Sequence, residues 1–314
     1  DVTEAKRAEE AVRRSEEQFR RTLDALAAPV ILYADDGEVL MVNKAWTEVT
    51  GYTRADVPSI AAWTERAYGG ATRELARDYI DKLYSTVGRV DDGEWPIRTA
   101  GGETRVWHFY TTPVGREPSG RRLVVSNAID VTEQKRAADE LARQARATAL
   151  RADVASALAA APDIRSALQA CAETLVRGVG AAFARVWTAD AAGEWLTLQA
   201  SAGRYTHLDG PHGRVRFGEL KIGRIAAANA PHLSNDLPND PAVGDPAWAA
   251  REGMRAFAGY PLSADGRVLG VLALFATAEL PDAVMADLGP VAASVAQYLD
   301  RRLAAEAVRE SESR

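Results

Sequence analysis

The chain repeats its first eight residues in its middle. Residues 1–8 (DVTEAKRA) match residues 130–137 (DVTEQKRA) at every position but the fifth. The two copies start 129 residues apart, about the length of one small domain plus a connector. Residues 307–312 (AVRESE) also resemble residues 11–16 (AVRRSE). We therefore expect a piece of a tandem array, with the output domain of the parent protein outside these 314 residues.

Charged segments with a sparse heptad pattern flank and separate two longer units. Residues 1–27 predict a long helix in which Ala5, Val12, Phe19 and Leu26 recur every seven residues. A seam this narrow is typical of a helix that packs on a partner helix. A solvated helix that covers its own domain is the alternative. A second long helix is predicted over 132–160, of which 132–151 is the linker helix between the two units, and a third over 291–314. Three such helices favour a parallel homodimer.

The segments between these helices predict antiparallel sheets. In residues 28–131, two strands come first, a helical middle runs from about 44 to 87, and three strands follow. In residues 152–290, a helix and a hairpin precede a long segment, 202–256, that is rich in Gly, Pro, Asn and Asp, and a second hairpin closes the unit. Strands that follow one another without intervening helices are not typical of parallel βαβ units. We predict an α+β fold of two domains, each with a central antiparallel sheet and helices.

Composition excludes several classes of protein. The net charge of −6 and the pI near 5.4 argue against a nucleic-acid-binding surface. No stretch of the sequence approaches the roughly 18 apolar residues of a membrane span. Cys171 is the single cysteine, which allows no internal disulfide or cysteine-rich metal site and fits a reducing, cytoplasmic compartment. His207 and His212 fall in a loop without helical spacing, so no metal site is predicted.

Three motifs in the first unit resemble those of PAS sensor domains. Residues 42–53 (VNKAWTEVTGYT) resemble the "N-x-A-F…GY" signature, and residues 102–107 (GETRVW) resemble the turn into a late PAS strand. Residues 130–132 (DVT) resemble the "D-I-T" motif that ends PAS domains, with Val in place of Ile. The motifs follow the family's order across most of residues 29–131. The resemblance implies a sensory domain with the PAS fold.

Residues 152–300 resemble a GAF domain. The sequences AGYPL at 258–262 and GRVLGVL at 266–272 carry the resemblance, and ND at 235–236 with DP at 240–241 adds to it. Together the two resemblances imply a tandem PAS–GAF sensory region of a bacterial signalling protein, similar to those of sensor histidine kinases in two-component systems. On this interpretation residues 1–27 follow a preceding PAS-type module, the long helices are signalling helices, and an effector follows in the parent chain.

The start of the linker helix has capping chemistry. Asp130 and Glu133 have the spacing of a capping box, as do Asp1 and Glu4, and Thr132 is a second capping candidate. Such a cap contributes about 1 kcal/mol to the free energy of unfolding. The resemblance to PAS domains implies that it also relays a signal from the last strand to the helix. A plain structural cap is the alternative.

Each domain has candidate pocket residues. The candidates in the PAS-like unit are Asn43, Trp46, Trp95, Trp107 and Tyr110. We favour a structural interpretation for them, in which Asn43 bonds a turn and the aromatic side chains fill the core. The candidates in the GAF-like unit are Arg185, Tyr205, Asp236 and Asp240. Ordinary loop turns explain the aspartates equally well. No cofactor is predicted, and an unknown small-molecule ligand is left open.

Missing motifs narrow the function. Residues 29–131 contain no cysteine, so the flavin photosensor type is excluded, and neither a phosphoacceptor-histidine box nor a Walker loop is present. We expect a non-catalytic fragment that senses and relays a signal. A ligand-free scaffold or dimerisation module is the first alternative. A GAF-type methionine sulfoxide reductase is a remote one, because such an enzyme needs catalytic cysteines and Cys171 is typical of a small core residue.

Overall fold

The computed structural model describes residues 2–312, with the side chains of residues 2–5, 8 and 310–312 left aside. The predicted Asp1–Glu4 cap and the seam position Ala5 lie outside the residues so described. The chain divides into two compact units, one ending at Leu141 and the other starting at Ala142. Helix α5 (Thr132–Ala160) begins in the first unit and ends in the second.

The first unit is built on a five-stranded sheet in the order β2-β1-β5-β4-β3, in which every pair is antiparallel. Its elements before α5 are α1 (Val2–Asp24), β1 (Val30–Ala34), β2 (Val39–Val42), α2 (Lys44–Thr50), α3 (Ile60–Ala67), α4 (Gly70–Leu83), β3 (Val90–Arg98), β4 (Thr104–Arg116) and β5 (Arg122–Asp130). This confirms the predicted order of two strands, helices and three strands.

The core of the first unit is aromatic. Alternate residues of β4, Trp107 and Phe109, turn one face of the sheet towards Trp46 of α2 and Trp63 of α3. The sequence pattern predicts a strand that starts at Trp95, whereas β3 starts at Val90. A bulge between Asp91 and Gly93 lets the chain continue to pair with β4 before Trp95.

Helix α1 leaves its heptad seam uncovered within the chain. Val12 and Phe19 are 58% and 55% exposed. The helix ends at Asp24 and not at the predicted residue 27, so Leu26, which is 44% exposed, lies beyond it. Only Leu23 within the helix is partly buried among the side chains described. The seam therefore has the exposure that pairing with a second helix requires, and the pairing itself stays a prediction.

The second unit has a six-stranded antiparallel sheet in the order β8-β7-β6-β11-β10-β9. Its elements after α5 are α6 (Ile164–Val179), β6 (Phe183–Ala189), β7 (Trp195–Gly203), β8 (Arg214–Arg216), α7 (Leu220–Ala228), β9 (His232–Ser234), a short 3-10 helix (Leu237–Asn239), α8 (Pro246–Arg251), β10 (Ala256–Ala264), β11 (Arg267–Ala276) and α9 (Asp282–Glu312).

Two cores cover the two faces of this sheet. On one face, Ala184 and Val186 of β6 pack with the end of α5, with α6 and with α9. On the other, Phe183 and Trp187 pack under the segment 204–255, whose helix α7 contributes Ile222. Helices α5, α6 and α9 thus cover one face of the sheet, and the loop-rich segment 204–255 covers the other.

Candidate functional site

The interior of the first unit leaves little room for a ligand. The cavity between its sheet and helices is about 40 Å³ and is lined by residues that include Tyr33, Trp46 and Trp95. A cavity of this size holds about one or two water molecules. Small-molecule pockets are typically about 300 Å³ or larger. This core is therefore essentially filled by its own side chains.

The predicted pocket residues of this unit divide between core and surface. Trp46 and Trp107 are fully buried with ring centroids 5.4 Å apart, and each indole Nε1 lacks a hydrogen-bond partner among the described residues. Trp95 lines the cavity and donates to the carbonyl of Asp92. Tyr110 lies on the opposite face of β4, stacked on His108, because successive strand residues alternate. The expectation that Tyr110 lines a pocket is therefore corrected.

Asn43 is a structural junction. Its Oδ1 accepts hydrogen bonds from the amides of Val30 at 2.9 Å and Trp46 at 3.0 Å, so that it caps α2 and holds the start of β1. Its Nδ2 donates to the carbonyls of Leu23 at 3.0 Å and Ala28 at 2.9 Å. One buried amide thus ties the end of α1 to the sheet, and its bonding groups are fully used.

The second unit contains a cavity of about 450 Å³. It lies on the loop-covered face of the sheet, against β6, β10 and β11, and α7 and α8 contribute to its wall. The volume falls within the usual range for organic ligands. The residues that fold over it come from the segment 204–255, where the sequence predicted only irregular chain and one short helix.

Six aromatic side chains line the cavity: Phe183, Trp187, Tyr205, Trp248, Phe257 and Phe275. The rings of Phe183 and Phe275 are stacked at 4.3 Å, and Tyr205 meets Phe183 edge-on at 5.0 Å. Trp248 of α8 stands edge-on to Phe275 at 5.8 Å. Walls of this kind favour a flat apolar ligand body.

Arg185 is a polar group of this wall and lies beside Tyr205. Its guanidinium carbon lies 5.9 Å from the Tyr205 ring centroid and 5.6 Å from that of Phe183. Nε donates to Ser201 Oγ at 3.2 Å and Nη2 lies 3.4 Å from His207 Nε2. Burial lowers the pKa of Arg185, while Tyr205 acts weakly in the other direction.

A buried ion pair borders the cavity. Lys221 Nζ, which lines it, lies 2.6 Å from Asp240 Oδ2 and 4.1 Å from the centroid of Phe257. His232 Nε2 reaches the same oxygen at 2.8 Å. Burial alone would raise the pKa of Asp240, but the hydrogen bonds from Lys221 and His232 outweigh it and hold that pKa well below its usual range.

The two predicted aspartates do not line the cavity. Asp236 is exposed and accepts from Asn239 Nδ2 at 2.9 Å, which completes a loop turn. Asp240 is buried and reaches the cavity only through Lys221. The structure thus places Arg185 and Tyr205 together in the cavity wall. The prediction that Asp236 and Asp240 line the pocket was wrong, because each carboxylate bonds to neighbouring side chains of the protein instead.

The junction between β5 and α5 is compact. Asp130 Oδ1 accepts from the Thr132 amide at 3.0 Å and from its hydroxyl, and Oδ2 accepts from Arg105 Nη1 at 2.8 Å. Thr132 Oγ1 accepts from the Val106 amide at 2.9 Å. Glu133 pairs with Arg136 at 2.7 Å instead of reaching back as in a capping box. Asp130 and Thr132 therefore join the helix start to strand β4, and Glu133 does not take part.

The family comparisons agree with this architecture. A family model described as a PAS domain matches residues 17–80, and one described as a GAF domain matches residues 161–300. The chain carries a PAS domain followed by a GAF domain. The 450 Å³ cavity lies within the range of the GAF match, and the filled aromatic core belongs to the PAS domain.

Three solved structures are similar to about half of this chain. A free methionine-R-sulfoxide reductase from Neisseria meningitidis, in complex with its substrate, is 20% identical with a TM-score of 0.42, covering 50% of this chain and 89% of that chain. The GAF domain of a phosphoenolpyruvate-protein phosphotransferase from Coxiella burnetii is 21% identical with a TM-score of 0.46, covering 52% and 97%. The GAF domain of A. aeolicus nlh2 is 14% identical with a TM-score of 0.44, covering 51% and 99%. A comparison with curated proteins gives no match.

Neither a metal-binding cluster nor a membrane-spanning helix is found among the described residues. Within residues 2–312, no three His, Cys, Asp or Glu side chains gather into a group that would hold a metal ion. Across the same range, every helix is too short or too polar to cross a membrane.

Sequence reasoning missed several cavity residues. Lys221 and Trp248 follow no motif, and a lysine at the start of a short helix is normally solvated. The one usable signal was Leu220-Lys221-Ile222, a cation between two apolar residues in a loop-rich segment. It is too common a pattern to have identified a buried ion pair.

Proposed function

We propose that this chain is the sensory and signal-relay part of a multi-domain bacterial signalling protein, and that the GAF cavity is its ligand site. The observation that carries the proposal is the contrast between a GAF cavity of about 450 Å³ and a PAS cavity of about 40 Å³. Only the former has the volume of an organic ligand. The PAS domain then acts as a relay rather than as a pocket.

The construction of the GAF domain supports a relay. The cavity lies on one face of the sheet, and α6, α9 and the end of α5 pack on the other, so that the two sides share strands such as β6. Leu220, beside Lys221 at the cavity, has φ of 51°, a conformation in which residues other than glycine are uncommon. Strain of this kind clusters at ligand sites and switches. A ligand that binds one sheet conformation better shifts the population towards it, and the helices on the other face follow.

Dimeric helices are the proposed path onwards. We infer that the protein is a cytoplasmic homodimer in which α1, α5 and α9 pair in parallel with their copies, and that an effector of the histidine kinase type follows in the parent chain. The exposed seam of Val12 and Phe19 on α1 supports the pairing. The same seam supports the second candidate function, a ligand-free dimerisation scaffold, which differs in that its GAF cavity takes no small molecule.

A reductase function has less support. The Cys171 thiol is fully buried in α6, among the residues that cover the sheet face opposite the cavity. Burial raises the pKa of this thiol to about 12, so at neutral pH it is protonated and a poor nucleophile. We therefore propose that the chain is not an enzyme and that catalysis belongs to the effector.

Native mass spectrometry tests the ligand site. The chain is equilibrated with a small-molecule extract of bacterial cells and freed of unbound compounds. We expect a non-covalent mass that is lost in Val243→Phe, which fills the cavity. The same change at exposed Val114 in the PAS domain is the matched control and should retain it. A bare chain in all three proteins would favour the scaffold instead.

A further inference from the structure

The charge of the GAF cavity is unbalanced at one residue. Arg185 is only 8% exposed, and its polar contacts are the hydroxyl of Ser201 and the imidazole of His207. Its Nη1 donates to no protein atom among the described residues, and no carboxylate in that part of the chain pairs with it. Burying a guanidinium without a counter-ion is costly. A site that keeps such a group has a place for an anion.

The other charged groups near the cavity are already neutralised or solvated. Lys221 is paired with Asp240 at 2.6 Å. Asp245, which lines the cavity mouth, is exposed and accepts from the Trp248 amide at 2.9 Å as the cap of α8. Burial, and then the charge of Arg185, lower the pKa of His212, so that this imidazole is neutral at neutral pH. Arg185 is thus the cation of this wall that no carboxylate of the described residues neutralises.

One positive charge selects one negative charge. A carboxylate carries a single charge and matches the two Nη atoms of a guanidinium with its two oxygens. A phosphate ester near pH 7 carries between one and two charges and gains from a second free cation. That second cation is missing, because Lys221 is held by Asp240. The charge count therefore favours a carboxylate over a phosphate.

The aromatic walls determine the rest of the ligand. Arg185 lies beside the rings of Phe183 and Tyr205, and Trp248 closes the same side at 6.2 Å from Phe183. A ligand whose carboxylate meets Arg185 has its body between these rings. Flat π-systems gain both buried area and edge-to-face contacts there.

We propose that the GAF cavity binds a small aromatic monocarboxylate, with its carboxylate on Arg185 and its ring among Phe183, Tyr205 and Trp248. This rests on the proposed ligand-binding function of the cavity and names the chemical class of the ligand. Arg185 is then the residue that determines specificity for the anion, and the aromatic residues select the planar body.

A paired ligand panel tests the proposal on the whole chain. The probes are benzoate, naphthalene-2-carboxylate, indole-3-acetate and cyclohexanecarboxylate, each with its primary amide, and 2-naphthyl phosphate. Binding is measured by isothermal titration calorimetry. We expect at least one aromatic carboxylate to bind, at least about tenfold tighter than its amide and tighter than the phosphate and the saturated acid. Equal binding of acid and amide, binding of the phosphate alone, or no binding by any carboxylate would overturn the proposal.

Variants of Arg185 assign the contact. Arg185→Met removes the charge and keeps the length, and should weaken the bound carboxylate about tenfold to a hundredfold while leaving the amide unchanged. Arg185→Lys should retain part of the affinity, which guards against loss of binding through misfolding. Arg204→Met is the matched control, because Arg204 contacts Glu252 and lies outside the cavity lining. A carboxylate that binds Arg185→Met as tightly as the wild type would overturn the proposal.

Different results would contradict the carboxylate assignment and the proposal that the GAF cavity is a ligand site. A neutral or cationic compound retained from cell extract, and lost in Val243→Phe, would contradict the carboxylate assignment and keep the cavity as a sensor. Retention of no compound from extract, together with no binding of the panel, would contradict both.

Discussion

Arg105 of strand β4 donates to the carboxylate of Asp130 at 2.8 Å, at the residue where β5 ends and the linker helix is about to begin. The same carboxylate accepts from the Thr132 amide, while the Thr132 hydroxyl accepts from the Val106 amide. The first turn of α5 is therefore bonded to two PAS strands. Any shift of β4 against β5 changes the bonds that hold the helix start.

Asp130→Asn should destabilise this junction. The variant keeps an oxygen for Thr132 but loses the charge that pairs with Arg105, and the carboxylate is 25% exposed, so we expect a loss of about 1 kcal/mol in the free energy of unfolding. Urea unfolding measures it. Asp139→Asn, at an exposed site on α5, is the control and should change the free energy by less than about 0.5 kcal/mol. Equal effects of the two variants would refute a special role for Asp130.

The Asp130 contribution should depend on pH. Burial opposes ionisation, but the hydrogen bonds from Thr132 and Arg105 outweigh it and lower the pKa of Asp130 below its ordinary value. A group whose pKa is lower in the folded than in the unfolded state stabilises the fold at pH values above its unfolded-state pKa, which is about 3.9 for Asp. That contribution is lost as the pH falls through the pKa of the folded state. The stability gap between wild type and Asp130→Asn should thus shrink from about pH 5 to about pH 3. A gap that widens on acidification would contradict the assignment.

Asn43→Asp should uncouple α1 from the PAS domain. The carboxylate keeps the acceptor for Val30 and Trp46, but it cannot donate to the carbonyls of Leu23 and Ala28. We expect the free energy of unfolding to fall by about 2 kcal/mol. Hydrogen exchange should accelerate more at residues 23–28, between α1 and β1, than in the strands of the sheet. If exchange rose evenly through the domain, Asn43 would be a general core residue and not the junction.

The Lys221–Asp240 pair should be strongly coupled. Lys221→Met leaves a buried carboxylate with only His232 and the Ala242 amide as partners, and Asp240→Asn leaves a buried ammonium, so each single change should cost about 3 kcal/mol. The double variant should recover at least about 1 kcal/mol of the summed loss. A double-mutant cycle by chemical unfolding checks this, and strictly additive losses would contradict the coupling.

The seam on α1 should hold the dimer together. Phe19 is 55% exposed on this helix, so Phe19→Glu places a charge on the proposed pairing face without disturbing the fold of one chain. We expect sedimentation equilibrium to show a wild-type dimer and a dissociation constant raised at least about tenfold in the variant. Leu75→Glu, at a 63% exposed site on α4, is the matched control and should leave the dimer intact.

Elements with long periodic patterns were predictable from the sequence. Helix α5 starts at Thr132 and ends at Ala160, as its apolar spacing indicated. The hairpin that closes the GAF domain, β10 and β11, lies where the alternating pattern and the Gly turn predicted it. The three-residue strands β8 and β9 and the helix α8 were not predicted. Strands of three residues are too short to show alternation, and pairing at sheet edges, which is a tertiary effect, defines them.

The candidate site was only half predictable for the same reason. Arg185 lies on strand β6, which the sequence predicted, between Phe183 and Trp187 at alternate positions. Its burial follows because these alternate positions face the same side of the sheet. Lys221 and Trp248 reach the cavity because segment 204–255 folds back over the sheet, and nothing local in the sequence specifies that path. For Tyr110 the prediction was wrong because alternation along β4 was not taken into account. Successive strand residues point to opposite faces, so Tyr110 lies with His108 on the face away from the core.

Hydrogen exchange of the whole chain, with and without the tightest-binding aromatic carboxylate, tests most directly whether the GAF cavity is the sensor. We predict slower exchange over residues 204–255, which close the cavity, and a change in α9 on the opposite face of the same sheet, with the PAS core at 28–131 unaffected in its most protected strands. Protection confined to the PAS domain, or unchanged exchange in both the cavity segment and α9, would contradict the account.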